Sequence, residues 1–256
     1  MTPPGALHLV PNTLDFGAPG APAALDELLP LGVIRTASQL GHWACENAKT
    51  TRAFLKRVDA VCPLRTPLQE LSIVELPRPP KGRDAASGPA PMSGLLAPAL
   101  AGYDIGLLSE AGLPALADPG AALVAAAHIA GIAVVAHPGA SSIALALAAS
   151  GLNGQSFAFV GYIPVPADER AARIRALETT SRRDAQTQLL IETPYRNVAL
   201  LEALLAHLQP ATTLSVSVGL TLPGGFTRSA NVAQWRQRGT TLPGDIPAVF
   251  ALLASR

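Results

Sequence analysis

The chain has 256 residues, of which 49% are hydrophobic and 14% charged, and its 19 basic and 18 acidic side chains leave a formal net charge of +1. Intrinsic disorder requires few apolar residues and a large net charge, so this composition excludes a mostly disordered protein. A net charge near zero also argues against general electrostatic attraction to nucleic acid, so an RNA substrate would have to be gripped locally.

Short apolar runs alternate with helical patterns along nearly the whole chain, which is typical of α/β proteins. The predicted strands cover residues 6–10, 41–45, 71–76, 103–108, 132–135, 157–162, 188–191, 214–220 and 248–253. The predicted helices cover residues 25–40, with breaks at Pro30 and Gly32, and residues 48–58, 121–130, 141–149, 168–179, 196–208 and 232–236. The pattern restarts after a Gly- and Ser-containing turn, so we expect two α/β domains, 1–138 and 139–256. The Pro-rich stretch 77–91 predicts a mobile surface loop, which is more typical of a linker than of a lid, with the lid left as the alternative.

Polar residues follow three of the predicted strands. Glu110 and Gly112 come after the strand that ends at Leu108, and Asp118 precedes Pro119 as a candidate helix N-cap. Small residues at the carboxyl end of a strand let a ligand approach the backbone closely. An acidic residue in this position is costly unless it faces a cleft or accepts hydrogen bonds, so Glu110 is a candidate for either role.

The second strand end carries Ser141 and Ser142 after a glycine, which fits a polar-ligand site or an ordinary N-cap. The third carries Glu192, followed by Tyr195 and Arg196. Three such strand ends in one chain favour a cleft. The segment around Ser141 lacks the second glycine of a nucleophile elbow, and the chain has neither a dinucleotide fingerprint nor a P-loop.

Other features exclude further classes. The five histidines have no metal-ligand spacing, so we expect no metal. Cys45 and Cys62 are not in a C-x-x-C arrangement, the first residues do not resemble a signal peptide, and the most apolar run, 121–136, is short for a membrane span. We therefore expect a cytoplasmic protein with no membrane partner. The arginines of 170–183 fit either phosphate contacts or, since acidic residues nearly cancel them, a solvated helix face.

These strand ends resemble the tetrapyrrole (corrin/porphyrin) methylase superfamily, and within it the ribosomal small subunit methyltransferase I branch. The branch motif S-D-A-G-x-P-x-x-x-D-P-G corresponds to residues 109–120, with Glu110 at its second position. The motifs P-G-P-S-A and E-S-P-H-R correspond to residues 138–142 and 192–196, and A-E-D-T-R is partly kept around Glu46. The loop after the first strand departs from the family pattern P-I-G-N.

The resemblance implies a homodimer of two-domain α/β subunits that bind S-adenosylmethionine in a cleft between the domains. It implies that the methyl donor contacts Glu110, Ala111, Gly112, Leu113, Ser141, Ser142, Pro194, Tyr195, Leu220, Thr221, Pro247 and Ala248. Glu192 and Glu46 are then the candidates for a catalytic base or orienting acid.

The same resemblance suggests RNA as the methyl acceptor, with a ribose 2′-hydroxyl of small-subunit ribosomal RNA as the expected site. Two alternatives remain open at this point. The acceptor could be a small molecule or a tetrapyrrole, or the protein could bind S-adenosylmethionine without catalysis, since fold does not fix function.

Overall fold

A computed structural model of the chain describes residues 3–15, 23–77, 92–239 and 241–255. The predicted loop at 77–91 therefore lies outside the described residues, apart from Pro77. The described chain divides into two compact units between residues 140 and 141. The sequence predicts a division between residues 138 and 139.

The first unit is a parallel sheet with helices on both faces. Its strands are β1 (Leu7–Leu9), β2 (His42–Cys45), β3 (Ser72–Glu75), β4 (Ile105–Leu108) and β5 (Val134–Ala136). Its α-helices are α1 (Leu25–Leu28), α2 (Leu31–Gln39), α3 (Ala48–Val61), α4 (Ala97–Leu100) and α5 (Ala121–Ile129), with 3-10 turns at Leu68–Glu70 and Ser93–Leu96. The strand order is β3-β2-β4-β1-β5, and every neighbouring pair is parallel.

Each face of this sheet has its own apolar core. Helices α1, α2 and α3 bury Leu29, Ile34 and Leu55 against one face, where Trp43 also packs. Helices α4 and α5 bury side chains such as Leu123 against the other face. Gly106 is required beneath Trp43, because a Cβ atom there would lie 2.5 Å from the indole ring. The two cores fix the sheet between helical layers.

The strand order creates a crevice at one edge of the sheet. The chain leaves β1 towards the α1–α3 face and leaves β4 towards the α5 face, although β1 and β4 are neighbours. Loops that diverge in this way from adjacent parallel strands leave room for a ligand beyond the carboxyl ends of the strands. The residues that follow β1 and β4 therefore border this crevice.

The second unit contains a mixed sheet. Its strands are β6 (Phe157–Phe159), β7 (Thr187–Glu192), β8 (Thr213–Val218), β9 (Phe226–Asn231) and β10 (Ala248–Leu253). Its α-helices are α6 (Ser142–Ser150), α7 (Ala167–Asp184), α8 (Asn197–His207) and α9 (Val232–Arg238), with a 3-10 turn at Pro194–Arg196. The order is β6-β7-β10-β8-β9, in which only β6 and β7 are parallel.

Helix α6 covers one face of the second sheet, and α7, α8 and α9 cover the other. Ile143 and Leu147 of α6 pack on Val249. On the opposite face, Leu204 and Trp235 belong to a larger cluster built around Phe250 of β10. The central strand β10 is therefore buried on both faces, as its apolar sequence AVFALL requires.

The observed elements confirm each predicted strand and helix, with changes at their ends. Pro30 separates α1 from α2 as expected, but the predicted break at Gly32 is wrong because this glycine lies within α2. The sequence does not predict α4 or β9. Strand β9 (FTRSAN) lies at the sheet edge and is nowhere fully buried, so it lacks the apolar alternation of a half-buried strand. Among the described helices, none is long and apolar enough to cross a membrane.

Candidate active site

Asn12 connects the loops that follow β1 and β4. Its side-chain amide donates hydrogen bonds to the carbonyl oxygens of Ser109 (3.1 Å) and Glu110 (2.9 Å). Its backbone N–H donates to the carbonyl oxygen of Gly112 at 2.9 Å. Asn12 is only 6% exposed, so these bonds form away from bulk water. They fix the path of the predicted donor-binding loop at the crevice.

The same loop is held from the other side by Glu46, which follows β2. The carboxylate oxygen Oε2 of Glu46 accepts the backbone N–H of Glu110 at 3.1 Å. Gly112 adopts φ +70°, and a Cβ atom there would lie 3.3 Å from Leu14 and 3.4 Å from the carbonyl oxygen of Ala140. Glycine therefore suits this position on both conformational and steric grounds.

Asp118 belongs to a group of acidic side chains at this edge. Burial, followed by repulsion from Glu46 and Glu110, raises the pKa of Asp118 to about 7. The Ser109 hydroxyl faces this carboxyl group and opposes the rise in pKa, but it forms no hydrogen bond of regular geometry, and Ser109 is 2% exposed. Asp118 thus lies within electrostatic range of Glu46 and Glu110, near the buried Ser109 hydroxyl.

The interpretation of Asp118 as a helix N-cap is wrong. Helix α5 begins at Ala121, and its N-cap residue is Gly120, with no side-chain capping bond. Ala115 and Ala117, in the same loop, have positive φ angles of 64° and 66°. Such angles cost about 1–2 kcal/mol for a residue with a Cβ atom and are concentrated at functional sites.

Arg57 of α3 anchors the loop that contains Asn12. Its guanidinium donates to both carboxylate oxygens of Asp15, at 3.2 and 3.0 Å, and to the hydroxyl of Thr13 at 3.1 Å. The Asp15 side chain is only 10% exposed, which makes this bidentate pair a partly buried one. The loop after β1, where the sequence departs from the family motif, is thus rigidly attached to α3.

An apolar cavity lies beside the loop after β4. It has a volume of about 470 Å³ and is lined mainly by Leu113, Leu116, Val124 and Ala136, with His128 as a polar group. Of the predicted donor contacts, Leu113 is the one that lines this cavity.

In the second unit, three chain segments meet at one edge of the sheet. Ala248 pairs with Glu192 on one side and with Val218 on the other. The N–H of Gly219 donates to the carbonyl oxygen of Pro247 at 3.0 Å. Ala248 therefore lies beside Glu192, and the other predicted contacts lie at the same end of the sheet: Leu220, Thr221 and Pro247.

The turn after β8 has a constrained backbone. Thr221 has φ +70°, which is unusual for a β-branched residue. Gly225 allows the chain to fold back, since a Cβ atom there would lie 2.0 Å from the carbonyl oxygen of Gly219. The turn therefore holds Leu220 and Thr221 in one conformation.

Glu192 is oriented by three donors. Its Oε1 atom accepts the backbone N–H of Thr193 (2.7 Å), the Thr193 hydroxyl (3.3 Å) and the guanidinium of Arg196 (2.6 Å). The hydrogen bond to Glu192 raises the already high pKa of Arg196. Within the described ranges, no donor bonds the other oxygen, Oε2, of Glu192. Glu192 is 9% exposed, so the carboxylate is fixed with one oxygen engaged.

The remaining predicted contacts lie around these centres. Ser141 is the N-cap of α6 and accepts the N–H of Ala144 at 3.4 Å, and Ser142 begins the helix. Leu220 packs against the apolar cluster of α6. Pro194 and Tyr195 form the 3-10 turn after β7, where Tyr195 is 76% exposed.

Two other groups stand apart from these loops. The arginines of 170–183 lie on α7, where Arg183 pairs with Asp184 at 2.7 Å on the surface. His8 and His137 approach within 2.9 Å through their ring nitrogens, and burial together with His8 lowers the pKa of His137. Within the described ranges, no group of three or more potential ligands could hold a metal ion.

The residues that the sequence predicts thus lie in two groups. Glu46 and residues 110–113 lie at one edge of the first sheet. Glu192 lies at one edge of the second sheet together with residues 194–195, 220–221 and 247–248. Sequence reasoning misses Asn12, Ser109 and the role of Asp118. An asparagine after a strand is too common to stand out, and only long-range contacts distinguish this one.

Comparison with known proteins agrees with this architecture. The model of the tetrapyrrole (corrin/porphyrin) methylase family matches residues 27–232. The uroporphyrin-III-C-methyltransferase of Thermus thermophilus has a similar fold, with a TM-score of 0.51 over 97% of this chain and 92% of that chain at 24% identity. The prediction of two α/β domains of this fold is confirmed.

The chain belongs to the tetrapyrrole (corrin/porphyrin) methylase family. It is similar to proteins named ribosomal RNA small subunit methyltransferase I. That of Halalkalibacterium halodurans is 33% identical over 64% of this chain and 50% of its own length. That of Pseudomonas aeruginosa is 40% identical over 40% of this chain and 34% of its own length. The match thus spans half or less of these curated relatives.

Proposed function

We propose that the protein is an S-adenosylmethionine-dependent methyltransferase whose acceptor is RNA, with a ribose 2′-hydroxyl of small-subunit ribosomal RNA as the expected site. The observation that carries the proposal is the rigid loop 109–113, which Asn12 and Glu46 hold at the crevice beyond β1 and β4. Family membership and the names of the relatives support the same reaction.

The residues present fit a bound donor. In the first unit, the buried Ser109 hydroxyl has no regular partner. The neighbouring Gly112 adopts φ +70°, so the loop approaches without a side chain at that position. In the second unit, the buried amide oxygen of Asn197, beside the turn after β7, also has no partner among the described residues. Unpaired buried polar atoms cost about 1–3 kcal/mol each and are expected where a ligand completes the hydrogen bonds.

The proposed donor contacts are Glu110, Ala111, Gly112 and Leu113 in the first unit, and Ser141, Ser142, Pro194, Tyr195, Leu220, Thr221, Pro247 and Ala248 in the second. When bound, S-adenosylmethionine supplies an electrophilic methyl group on a sulfonium sulfur. The main task of the chain is to hold the acceptor oxygen in line with that group. Alignment of this kind contributes up to roughly 7–11 kcal/mol to lowering a barrier.

Glu192 and Glu46 are the proposed acids for proton removal or orientation. The Oε2 atom of Glu192 is the more accessible to chemistry, because Oε1 is already held by Thr193 and Arg196. Glu46 uses its Oε2 atom to hold the backbone of Glu110. We therefore assign proton acceptance to Glu192 and loop orientation to Glu46.

We further propose a homodimer formed through the first unit. Large apolar side chains are exposed near the edge strand β5: Ile129 is 88% exposed, Leu116 43% and Val135 37%. An exposed apolar patch of this kind is typical of a protein interface. Ile129→Glu should convert a dimer to a monomer in light scattering, and an unchanged mass would contradict this interface.

The acceptor is tested with radiolabelled S-adenosylmethionine and purified 30S ribosomal subunits, with total RNA and a porphyrinogen as alternative acceptors. We expect label in the ribosomal RNA and an affinity for RNA that falls with salt, since phosphate contacts release counterions. Label only in the small molecule would move the function to a small acceptor. A ribosomal substrate would also place the protein in the cytoplasm.

A further inference from the structure

Two tyrosines follow the carboxyl ends of neighbouring parallel strands in the second unit. Tyr162 comes shortly after β6 and Tyr195 shortly after β7. Strands β6 and β7 pair in parallel, so their carboxyl ends lie at the same edge of the sheet. Tyr162 is 58% exposed and Tyr195 is 76% exposed. One edge therefore presents two large aromatic rings to solvent.

Arg196 lies close to both tyrosines. Its guanidinium carbon is 5.8 Å from the centroid of the Tyr195 ring. Tyr162 follows Gly161, whose carbonyl oxygen accepts the N–H of Ile191 at 3.2 Å, so Tyr162 lies beside the end of β7 from which Tyr195 and Arg196 continue. The phenol groups of both tyrosines also add to the rise in the pKa of Arg196. The three side chains therefore form one cluster, with two rings and a planar cation.

The guanidinium is held in place before any ligand binds. It donates to Glu192 Oε1 at 2.6 Å through one terminal nitrogen and to the Thr193 hydroxyl at 3.2 Å through Nε. The Glu192 side chain is only 6% exposed and is itself fixed by Thr193. Binding at this cluster therefore costs little additional ordering of Arg196.

The charges determine what this cluster can recognise. Glu192 already balances the charge of Arg196. The cluster can therefore contact a ligand through the flat faces of its rings and guanidinium, but it carries little net positive charge. Flat aromatic and guanidinium faces bind unpaired nucleobases by stacking, which is how proteins commonly read single-stranded RNA. A phosphate gains less here, because the charge of Arg196 is already balanced by Glu192.

We propose that Tyr162, Tyr195 and the plane of Arg196 form a stacking platform for an unpaired nucleobase of the acceptor RNA. The inference rests on the proposed function, because it assumes an RNA acceptor. For Tyr195 it replaces the donor contact proposed above with a contact to the acceptor. The platform borders Glu192, whose register partner Ala248 is a proposed donor contact, so the base would be bound beside the reacting groups.

The test uses the full chain and a single-stranded oligoribonucleotide that contains 2-aminopurine, whose fluorescence is quenched by stacking. Tyr162→Ala and Tyr195→Ala should each weaken binding roughly 5- to 150-fold, the range for loss of one stacked base. Tyr162→Phe and Tyr195→Phe keep the ring and should bind within about twofold of the wild type.

Phe157→Ala is the matched control. Phe157 is 48% exposed but begins β6, so it lies at the opposite edge of the sheet from Tyr162. It should leave RNA binding and quenching unchanged. A loss of binding in this control equal to that of the tyrosine variants would overturn the platform, because the effect would then be general to exposed aromatic residues.

Other outcomes separate the platform from the proposed function. If the wild type and both alanine variants methylate 30S subunits with the same KM for the subunits, the platform is wrong while the proposed function stands. If Tyr195→Ala weakens binding of S-adenosylhomocysteine and not of RNA, Tyr195 belongs to the donor site. If the wild type methylates no RNA, the proposed function fails and the platform fails with it.

Discussion

The side-chain amide nitrogen of Asn12 lies 2.9 Å from the carbonyl oxygen of Glu110. This bond joins the loop after β1 to the loop after β4 at the point where the two loops diverge to opposite faces of the sheet. The proposed donor site therefore depends on a residue that contacts the protein backbone.

Asn12→Ala should weaken donor binding as well as the fold. The variant leaves the carbonyl oxygens of Ser109 and Glu110 without their partner, which should lower the free energy of unfolding by about 1–3 kcal/mol. Affinity for S-adenosylhomocysteine should fall about tenfold if reordering the loop costs about 1.4 kcal/mol. Calorimetry and urea unfolding measure the two effects.

Asn231→Ala provides a matched control in the second unit. It removes the capping box of α9 and should cost about 1 kcal/mol of stability. Donor affinity should be unchanged. Equal donor affinities for the Asn12 and Asn231 variants would show that Asn12 does not position the loop.

Asp118→Asn should stabilise the protein at alkaline pH. The pKa of Asp118 is about 7 in the fold against an ordinary value of 3.8, so the folded chain keeps a proton that the unfolded chain releases. The contribution of Asp118 to stability therefore falls as the pH rises from about 4 to about 7 and is constant above that range.

The asparagine variant mimics the neutral form. It should match the wild type near pH 4 and be more stable at pH 8 by about 1–2 kcal/mol, since solvent screens part of the repulsion from Glu46 and Glu110. Urea unfolding at the two pH values measures the difference. Asp26→Asn, at an exposed position in the first turn of α1, is the control. A difference between Asp118→Asn and the wild type that is independent of pH would contradict the raised pKa.

Glu192→Gln should lower turnover roughly 10²-fold or more, the usual loss when a catalytic acid or base is removed. Gln keeps an acceptor for Thr193 and Arg196, so the local structure should persist. Glu202→Gln, on the exposed side of α8, should have no effect. Methyl transfer to 30S subunits at saturating donor measures both variants, and an unchanged rate for Glu192→Gln would exclude proton acceptance by this residue.

Local sequence patterns predict most elements but not how they pair. Predicted helix 168–179 continues to Asp184, where Ser181 is buried and accepts the N–H of Ala254 at 2.9 Å, so tertiary contacts and not local propensity hold the last turn until Ala185, which has φ +50°. The insertion of β4 between β1 and β2 depends on long-range pairing, which periodicity does not reveal. That insertion creates the crevice, so the sequence could indicate strand-end residues without showing which loops diverge there.

The sequence likewise predicts the acidic residues of the candidate site but not the residues that hold its loops. The positions of Glu110 and Glu192 at the ends of apolar strands indicate both acids, and the motif resemblance adds Glu46. Asn12 and Ser109 act through contacts with residues distant in sequence, and no local pattern marks them. The N-cap prediction for Asp118 is wrong because Asp-Pro before a helix is a common N-cap signal, whereas the N-cap of α5 is Gly120.

The most direct test of the donor site is calorimetric titration of the protein with S-adenosylmethionine and S-adenosylhomocysteine, with Gly112→Trp as the comparison. We expect micromolar binding by the wild type and none by the variant. Gly112 has φ +70°, a Cβ atom there would lie 3.3 Å from Leu14 and 3.4 Å from the Ala140 carbonyl, and an indole ring would distort the loop or fill the donor site. Thermal unfolding of the variant verifies that it is folded. No binding of either compound by the wild type would contradict the proposed methyltransferase and leave only the fold.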